Sequence, residues 1–288
     1  MTARTFVSTF RDQGTTNWNW SQIVVAGAVA ALAVPTIVTL GRTHWSTDNG
    51  AHGPLILVSA LWLFWRERSA IAWTPGSIRA SWLLLLAPLL FLYFVGRSLD
   101  MIGTENAALY AIMLLLGFYY WGPATMRRLW FAILYAAFLV KPPGGLVAEL
   151  TSPLKVWLSE AAVSLLHLAD YPVGKSGVRI QIAQYELLVA QACAGLGSLI
   201  TLMAMGLLYV HLTRPEGTRH KVILIASIIP IAILANLVRI ILLVLLTFHV
   251  SDAVAQGFAH DLAGVVTFAF SMLGMLAVDA VLQRRETR

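Results

Sequence analysis

The 288-residue sequence is poor in charge and almost free of cysteine. Only 12% of its residues are charged, whereas 58% are hydrophobic, and soluble domains carry about twice that share of charge. The single cysteine, Cys193, excludes an intramolecular disulfide and a multi-cysteine metal site. There is no long basic tract and no interleaving of aromatic with basic residues, so the net charge of +6 does not indicate nucleic-acid binding. We expect neither a cofactor nor a nucleic-acid partner.

Apolar runs dominate the rest of the sequence. Several approach or exceed the roughly 18–20 residues that a helix needs to cross a bilayer. The predicted fold class is therefore an all-α polytopic membrane protein with about eight transmembrane helices. The expected spans are 22–41, 54–65, 81–96, 106–121, 128–140, 192–212, 222–248 and 258–282. Residues 1–20 are polar and lack the layout of a cleavable signal peptide, so the first span is expected to act as an uncleaved anchor.

The distribution of lysine and arginine between the spans predicts the orientation. Connections rich in these residues alternate with connections that carry at most one. The basic connections are 66–80, 121–129, 213–221 and the C-terminal tail. The positive-inside rule then places both termini in the cytoplasm. Segment 141–191 is placed outside by alternation, although its own basic residues do not indicate this. Cys193 and His260 consequently begin inward-running helices at the periplasmic or exterior face.

The segment between the fifth and sixth spans is expected to form an extracytoplasmic insert. Residues 144–169 mix charged with apolar residues, which favours an amphipathic helix at the membrane surface over a further span. Residues 178–182 alternate apolar with polar side chains and predict a short β-hairpin just before Cys193. We therefore expect one integral-membrane domain over 1–288. Its parts are the N-terminal helices 1–140, the insert 141–191 and the catalytic helices 192–282.

Two residues at the last spans have side chains suited to acyl-transfer chemistry. Cys193 stands at a helix start, where amide groups and the helix dipole favour the nucleophilic thiolate. Its alternative role is that of a small apolar packing residue. Arg239 interrupts an apolar run at a cost of roughly 2.5–3.5 kcal/mol, so it should face a cavity and bind a carboxylate or an oxyanion. A structural arginine bonded to backbone carbonyls is the alternative, and Asn236 one turn earlier could orient it.

A histidine is needed to move the proton in such a reaction. His260 opens the last span and could take the proton from the thiol and return it to a leaving amine. An interfacial histidine bonded to Asp261 or to lipid headgroups is the alternative, and His249 competes for the same role. His52, before the second span, is a candidate for a substrate entrance, or else part of a plain turn. Glu186 in the predicted hairpin is a further supporting candidate.

The sequence leaves one geometric difficulty. Arg239 is expected about 16 Å below the outer end of its own helix, at 1.5 Å per residue. Cys193 and His260 are both expected at the outer face. A tilted helix, a bend or a recessed cavity would be required to bring the three residues together.

Taken in order, these residues resemble the motifs of a known family. Cys193-Ala-Gly195, Asn236-x-x-Arg239 and His260-x-x-x-Gly264 are similar to the three motifs of the exosortase/archaeosortase family. The start of the second span, Ala51-His52-Gly53-Pro54-Leu55, also resembles the N-terminal half of that family. One departure is Ala194, because many members have serine after the cysteine.

The resemblance implies a membrane-embedded cysteine transpeptidase that acts on C-terminal sorting signals. Such signals contain a short motif (Pro-Glu-Pro in the best-known class), an apolar span and a basic tail, and the new carboxyl end is passed to a lipid or other surface anchor. Cys193 would be the nucleophile, Arg239 the transition-state stabiliser and His260 the acid and base. Hydrolysis, with water as the acceptor, is a close variant. A non-catalytic transporter or a scaffold for polysaccharide or protein export is the alternative function.

Overall fold

The described part of a computed structural model of the chain contains nine α-helices, three short 3₁₀-helices and one small β-sheet. The described residues are 20–46, 53–71, 73–76, 78–140, 144–177, 179–182, 185–188, 195–213, 217–250 and 258–286. The helices are α1 (Trp20–Thr43), α2 (Gly53–Arg66), α3 (Leu86–Ser98), α4 (Ile102–Arg128), α5 (Trp130–Ala136), α6 (Gly144–Leu168), α7 (Gly195–Thr213), α8 (Thr218–His249) and α9 (Phe258–Glu286). The strands are β1 (Val173–Ser176), β2 (Arg179–Ile182) and β3 (Tyr185–Leu188).

The helices follow the apolar runs, as the fold-class prediction requires. Five are long and apolar enough to cross a membrane: Trp20–Thr43, Ala80–Ser98, Ile102–Arg128, Thr218–His249 and Leu262–Arg284. Three shorter apolar helices are Gly53–Arg66, Trp130–Leu139 and Ile200–Thr213. Each of the eight overlaps one expected span. The all-α polytopic membrane fold is therefore confirmed, and the expected number of spans is compatible with it.

The insert before α7 is a helix packed on a three-stranded antiparallel sheet of order β1-β2-β3. The predicted hairpin is confirmed as β2 and β3, which close with Ile182 opposite Tyr185. Strand β1 was not predicted, because Val173-Gly174-Lys175-Ser176 has no apolar alternation. Gly177, with φ of +61°, allows the tight turn between β1 and β2.

One face of the sheet is the hydrophobic core of the insert. Along β2 the exposed Arg179 and Gln181 alternate with the fully buried Ile180 and Ile182. These isoleucines pack against α6 and against the C-terminal half of α8. The buried members of the cluster are Leu158, Ala162, Val163, Leu166, Val173, Ile180, Ile182, Leu237, Ile240 and Val244. The insert and α8 therefore share one hydrophobic core.

At the other end of α8, a buried carboxylate ties three helices together. Asp279 of α9 lies 2.6 Å from Nε2 of His220 on α8 and accepts a hydrogen bond of 2.6 Å from the Tyr209 hydroxyl on α7. Gln283 Nε2 donates a further bond of 3.1 Å to it. Asp279 is 5% and His220 3% exposed. Asp279 thus connects α9 to both α7 and α8 through polar contacts, which hold the three helices together.

We expect Asp279→Ala to lower the free energy of unfolding by about 3–5 kcal/mol, since it leaves buried polar partners without their acceptor. Thermal unfolding of the purified protein in detergent measures the change. Glu160→Ala is the matched control, because Glu160 pairs with Lys175 where both side chains are partly exposed, and exposed pairs contribute about 0–1 kcal/mol. Equal destabilisation by the two variants would contradict the assigned role of Asp279.

Candidate active site

Arg239 lies on the face of α8 that contacts α7 and α9. It follows Ala232 by seven residues, or two helical turns, and Ala232 packs with Leu202 of α7 and Phe268 of α9. The insert packs on a different face of α8, through Leu237 and its neighbours. Arg239 is only 6% exposed. The guanidinium is therefore held inside the three-helix bundle and not against lipid.

Asn236 shares this buried position one turn before Arg239. It is also 6% exposed, and both residues are engaged in polar or electrostatic interactions. Arginine keeps its charge at any accessible pH. A charge in apolar surroundings interacts with an anion more strongly than it would in water. The pair is thus suited to binding developing negative charge.

The packing of α7 on α8 determines where α7 begins relative to Arg239. A Cβ placed on Gly206 would meet Ile228 Cγ1 at 2.9 Å, so the two helices touch there. Leu202 lies in one hydrophobic cluster with Ala232, and Val210 lies in another with Leu224. The two helices are therefore antiparallel, and each step of four residues forward on α7 corresponds to a step of four residues backward on α8. Seven residues from Leu202 lead to Gly195, the first residue of α7. The same seven residues along α8 lead from Ala232 to Arg239.

The start of α9 also lies close to the level of Arg239 along the axis of the helix bundle. Phe268 packs in one cluster with Ala232 and Ala235 of α8. Ser227 Oγ and Met275 Sδ, 3.8 Å apart, continue the antiparallel contact further along. His260 precedes Phe268 by eight residues. Because α8 and α9 are antiparallel, His260 lies beside the residues that follow Ala232 and Ala235 by eight, which are residues 240 and 243 of α8. His260 is therefore within about one helical turn of Arg239 along the bundle.

These registers remove the expected gap between Arg239 and the helix starts. Helix α8 continues ten residues beyond Arg239 to His249, about 15 Å. That extension packs on α6 and the sheet through Ile240 and Val244. The distance expected from the sequence separates Arg239 from the C-terminal end of α8. Helices α7 and α9 do not begin at that end but close to the level of Arg239. No tilt or bend of α8 is needed to bring Arg239 level with them.

The structure describes the remaining predicted site residues only in part or not at all. Cys193 and His52 lie outside the described residues. His260 is in the first turn of α9, and its side chain is outside the described part. Glu186 is in β3, where its backbone pairs with Gln181.

The competing histidine has a different environment. His249 is exposed at the end of α8, and its Nε2 lies 3.0 Å from the Tyr171 hydroxyl. Its ring packs edge to face with the rings of Tyr171 and Phe248. His249 thus connects the insert to the C-terminal end of α8 through its contacts with Tyr171. It lies about 15 Å along the helix from Arg239. Tyr171 was missed from the sequence because no local pattern links it to a histidine 78 residues away.

A cavity of about 460 Å³ lies at the opposite end of α7. Its lining includes Arg127, Arg128, Glu67 and His211, and the His211 ring stacks on Phe131 at 3.7 Å. His211 follows Gly195 by sixteen residues, about 24 Å along the helix. The cavity is therefore separate from the Arg239 region.

Comparison with known proteins identifies a matching family. A family model described as Transmembrane exosortase (Exosortase_EpsH) matches residues 44–277. That range covers most of the chain and includes the insert, Arg239 and the starts of α7 and α9. No curated protein and no solved structure matches the chain.

Proposed function

Because the chain is an integral membrane protein that belongs to the transmembrane exosortase family, we propose that it is a cysteine transpeptidase or protease acting on C-terminal sorting signals of exported proteins. Its substrates carry a short recognition motif, an apolar span and a basic tail. The observation that supports this most strongly is the common height of Arg239, Gly195 and His260 in the three-helix bundle. Cys193 precedes Gly195 by two residues in the sequence, and we take it as the nucleophile.

The reaction is acyl transfer at a peptide bond. The Cys193 thiolate attacks the scissile carbonyl carbon, and the carbonyl electrons move to its oxygen. His260 takes the thiol proton and gives it to the leaving amine as the carbon–nitrogen bond breaks, which leaves a thioester on Cys193. A surface-anchor or lipid nucleophile then takes the acyl group and restores the thiol, or water does so in the hydrolytic variant.

Arg239 stabilises the oxyanion of the tetrahedral intermediate. Its buried guanidinium supplies charged donors, and the backbone amides at the start of α7 supply neutral ones. Asn236 orients the guanidinium from one turn away. His52 belongs to the substrate entrance, and Glu186 supports the segment that leads to the nucleophile. The site faces the periplasm or exterior of a bacterial inner membrane, as the loop charges indicate.

Trapping the thioester tests this function. Purified wild-type protein in lipid nanodiscs is mixed with a substrate protein that ends in the three-part signal of motif, apolar span and basic tail (the tripartite tail). The reaction is quenched in acid, and the mass of the intact protein is measured by mass spectrometry. We expect an adduct of the upstream fragment on Cys193 that hydroxylamine removes. Cys193→Ala should form no adduct and leave the tail intact. Processing that persists in Cys193→Ala would overturn the proposal and favour a transporter or scaffold.

A further inference from the structure

We propose that β3 binds the substrate peptide as an added β-strand, through the outward-facing backbone groups of Glu186 and Leu188. This rests on the proposed function and specifies how the site holds its substrate. The ligand is an extended stretch of polypeptide next to the scissile bond, recognised by its main chain.

The register of the sheet identifies the backbone groups that face outward. Ile182 and Tyr185 are paired with two residues between them in the sequence. In a hairpin with so short a connection the closing pair is a hydrogen-bonded pair. Bonded and non-bonded pairs alternate in an antiparallel ladder. Tyr185 and Leu187 therefore bond to β2, and Glu186 and Leu188 direct their N–H and C=O groups away from it.

The pairing of β1 with β2 gives the same assignment independently. Ser176 and Arg179 close the first hairpin, again across two residues. Arg179 and Gln181 therefore bond to β1, which leaves Ile180 and Ile182 to bond β3. The phases of the two ladders agree, and within the described ranges β3 has β2 as its sole strand partner.

The two edges of the sheet differ in how they are protected. Strand β1 follows Pro172 and contains Gly174 and Lys175, residues that discourage pairing at an edge. Lys175 also pairs with Glu160 of α6. Strand β3, Tyr185-Glu186-Leu187-Leu188, has no proline, glycine or lysine. Within the described residues this edge of β3 has no partner strand, so it is suited to pairing with another extended chain.

The position of β3 brings such a chain to the site. The sheet is anchored by the buried Ile180 and Ile182 to the stretch of α8 that flanks Arg239, and β3 itself contacts α8. Strand β3 ends at Leu188, five residues before Cys193, a distance of at most about 18 Å along an extended chain. An added strand would lie about 4.8 Å from β3. Its main chain would therefore lead to the start of α7.

Proline substitutions on β3 test the proposal. Leu188→Pro removes an outward N–H and adds ring bulk at the free edge without removing a β2–β3 bond, so we expect KM for the tail substrate to rise about tenfold with little change in thermal stability. Leu188→Ala should raise KM less than twofold. Leu187→Pro removes a ladder bond and should lower the melting temperature. Wild-type KM in a folded Leu188→Pro protein would overturn the proposal.

Replacing single substrate amides by esters provides a second test. Each ester removes one N–H donor, so we expect processing efficiency to fall about two- to tenfold at every second residue beside the scissile bond. Equal effects at consecutive residues would contradict strand addition. Cys193→Ala is assayed in parallel. If it still processes the tail, the proposed function itself fails, whereas a Cys193-dependent reaction with no alternation refutes strand addition alone.

Discussion

Replacing Arg239 by lysine is expected to lower kcat for tail processing about 100- to 1000-fold, the effect of losing one well-placed oxyanion donor. Lysine keeps the positive charge but loses the planar set of donors that arginine presents. Its ammonium group is also more strongly hydrated, which disfavours it inside the bundle between α7 and α9. The measurement is kcat and KM of the purified variant with a tripartite-tail substrate, together with its thermal unfolding.

Arg219→Lys is the matched control for this experiment. Arg219 lies on the same helix as Arg239 but is exposed near its opposite end, so kcat should not change. If Arg239 served only to hold the fold together, Arg239→Lys would lower the melting temperature and the amount of folded protein, while the folded fraction kept its kcat. That result would contradict the assigned role in the transition state.

Replacing His260 by glutamine is expected to reduce kcat about 100- to 10,000-fold, the range of general acid–base catalysis. His260 is level with Arg239 in the bundle, and glutamine cannot both accept and return the proton. The corresponding change at His249 should leave kcat within about threefold of wild type, because a residue that does not contact the reacting groups contributes little to the barrier. Steady-state kinetics on both variants measures the difference.

The same pair of variants separates the two histidines by stability. His249→Gln removes the ring that contacts Tyr171 and Phe248, so it should lower the melting temperature slightly by loosening the insert. A large kcat loss in His249→Gln, with wild-type kcat in His260→Gln, would reverse the assignment of acid and base.

Much of the fold followed from local sequence signals. Apolar runs are set by composition, and for that reason all eight expected spans overlap apolar helices in the structure. The β2–β3 hairpin was predicted because Arg179 to Ile182 alternate polar with apolar residues. Strand β1 was not, because its glycine and lysine carry no such signal and its pairing depends on the neighbouring strand. The Tyr171–His249 contact was likewise inaccessible, since it joins segments far apart in the chain.

The sequence by itself determined that this is a polytopic membrane protein, that an arginine lies within an apolar run, and that a cysteine and a histidine stand near the starts of neighbouring helices. Only the tertiary structure decided that Arg239 and those helix starts lie at one height. The length of α8 gives the distance from Arg239 to its end, but not where the neighbouring helices begin. That height is set by side-chain packing between helices, such as Gly206 against Ile228, and by the insert that covers the rest of α8.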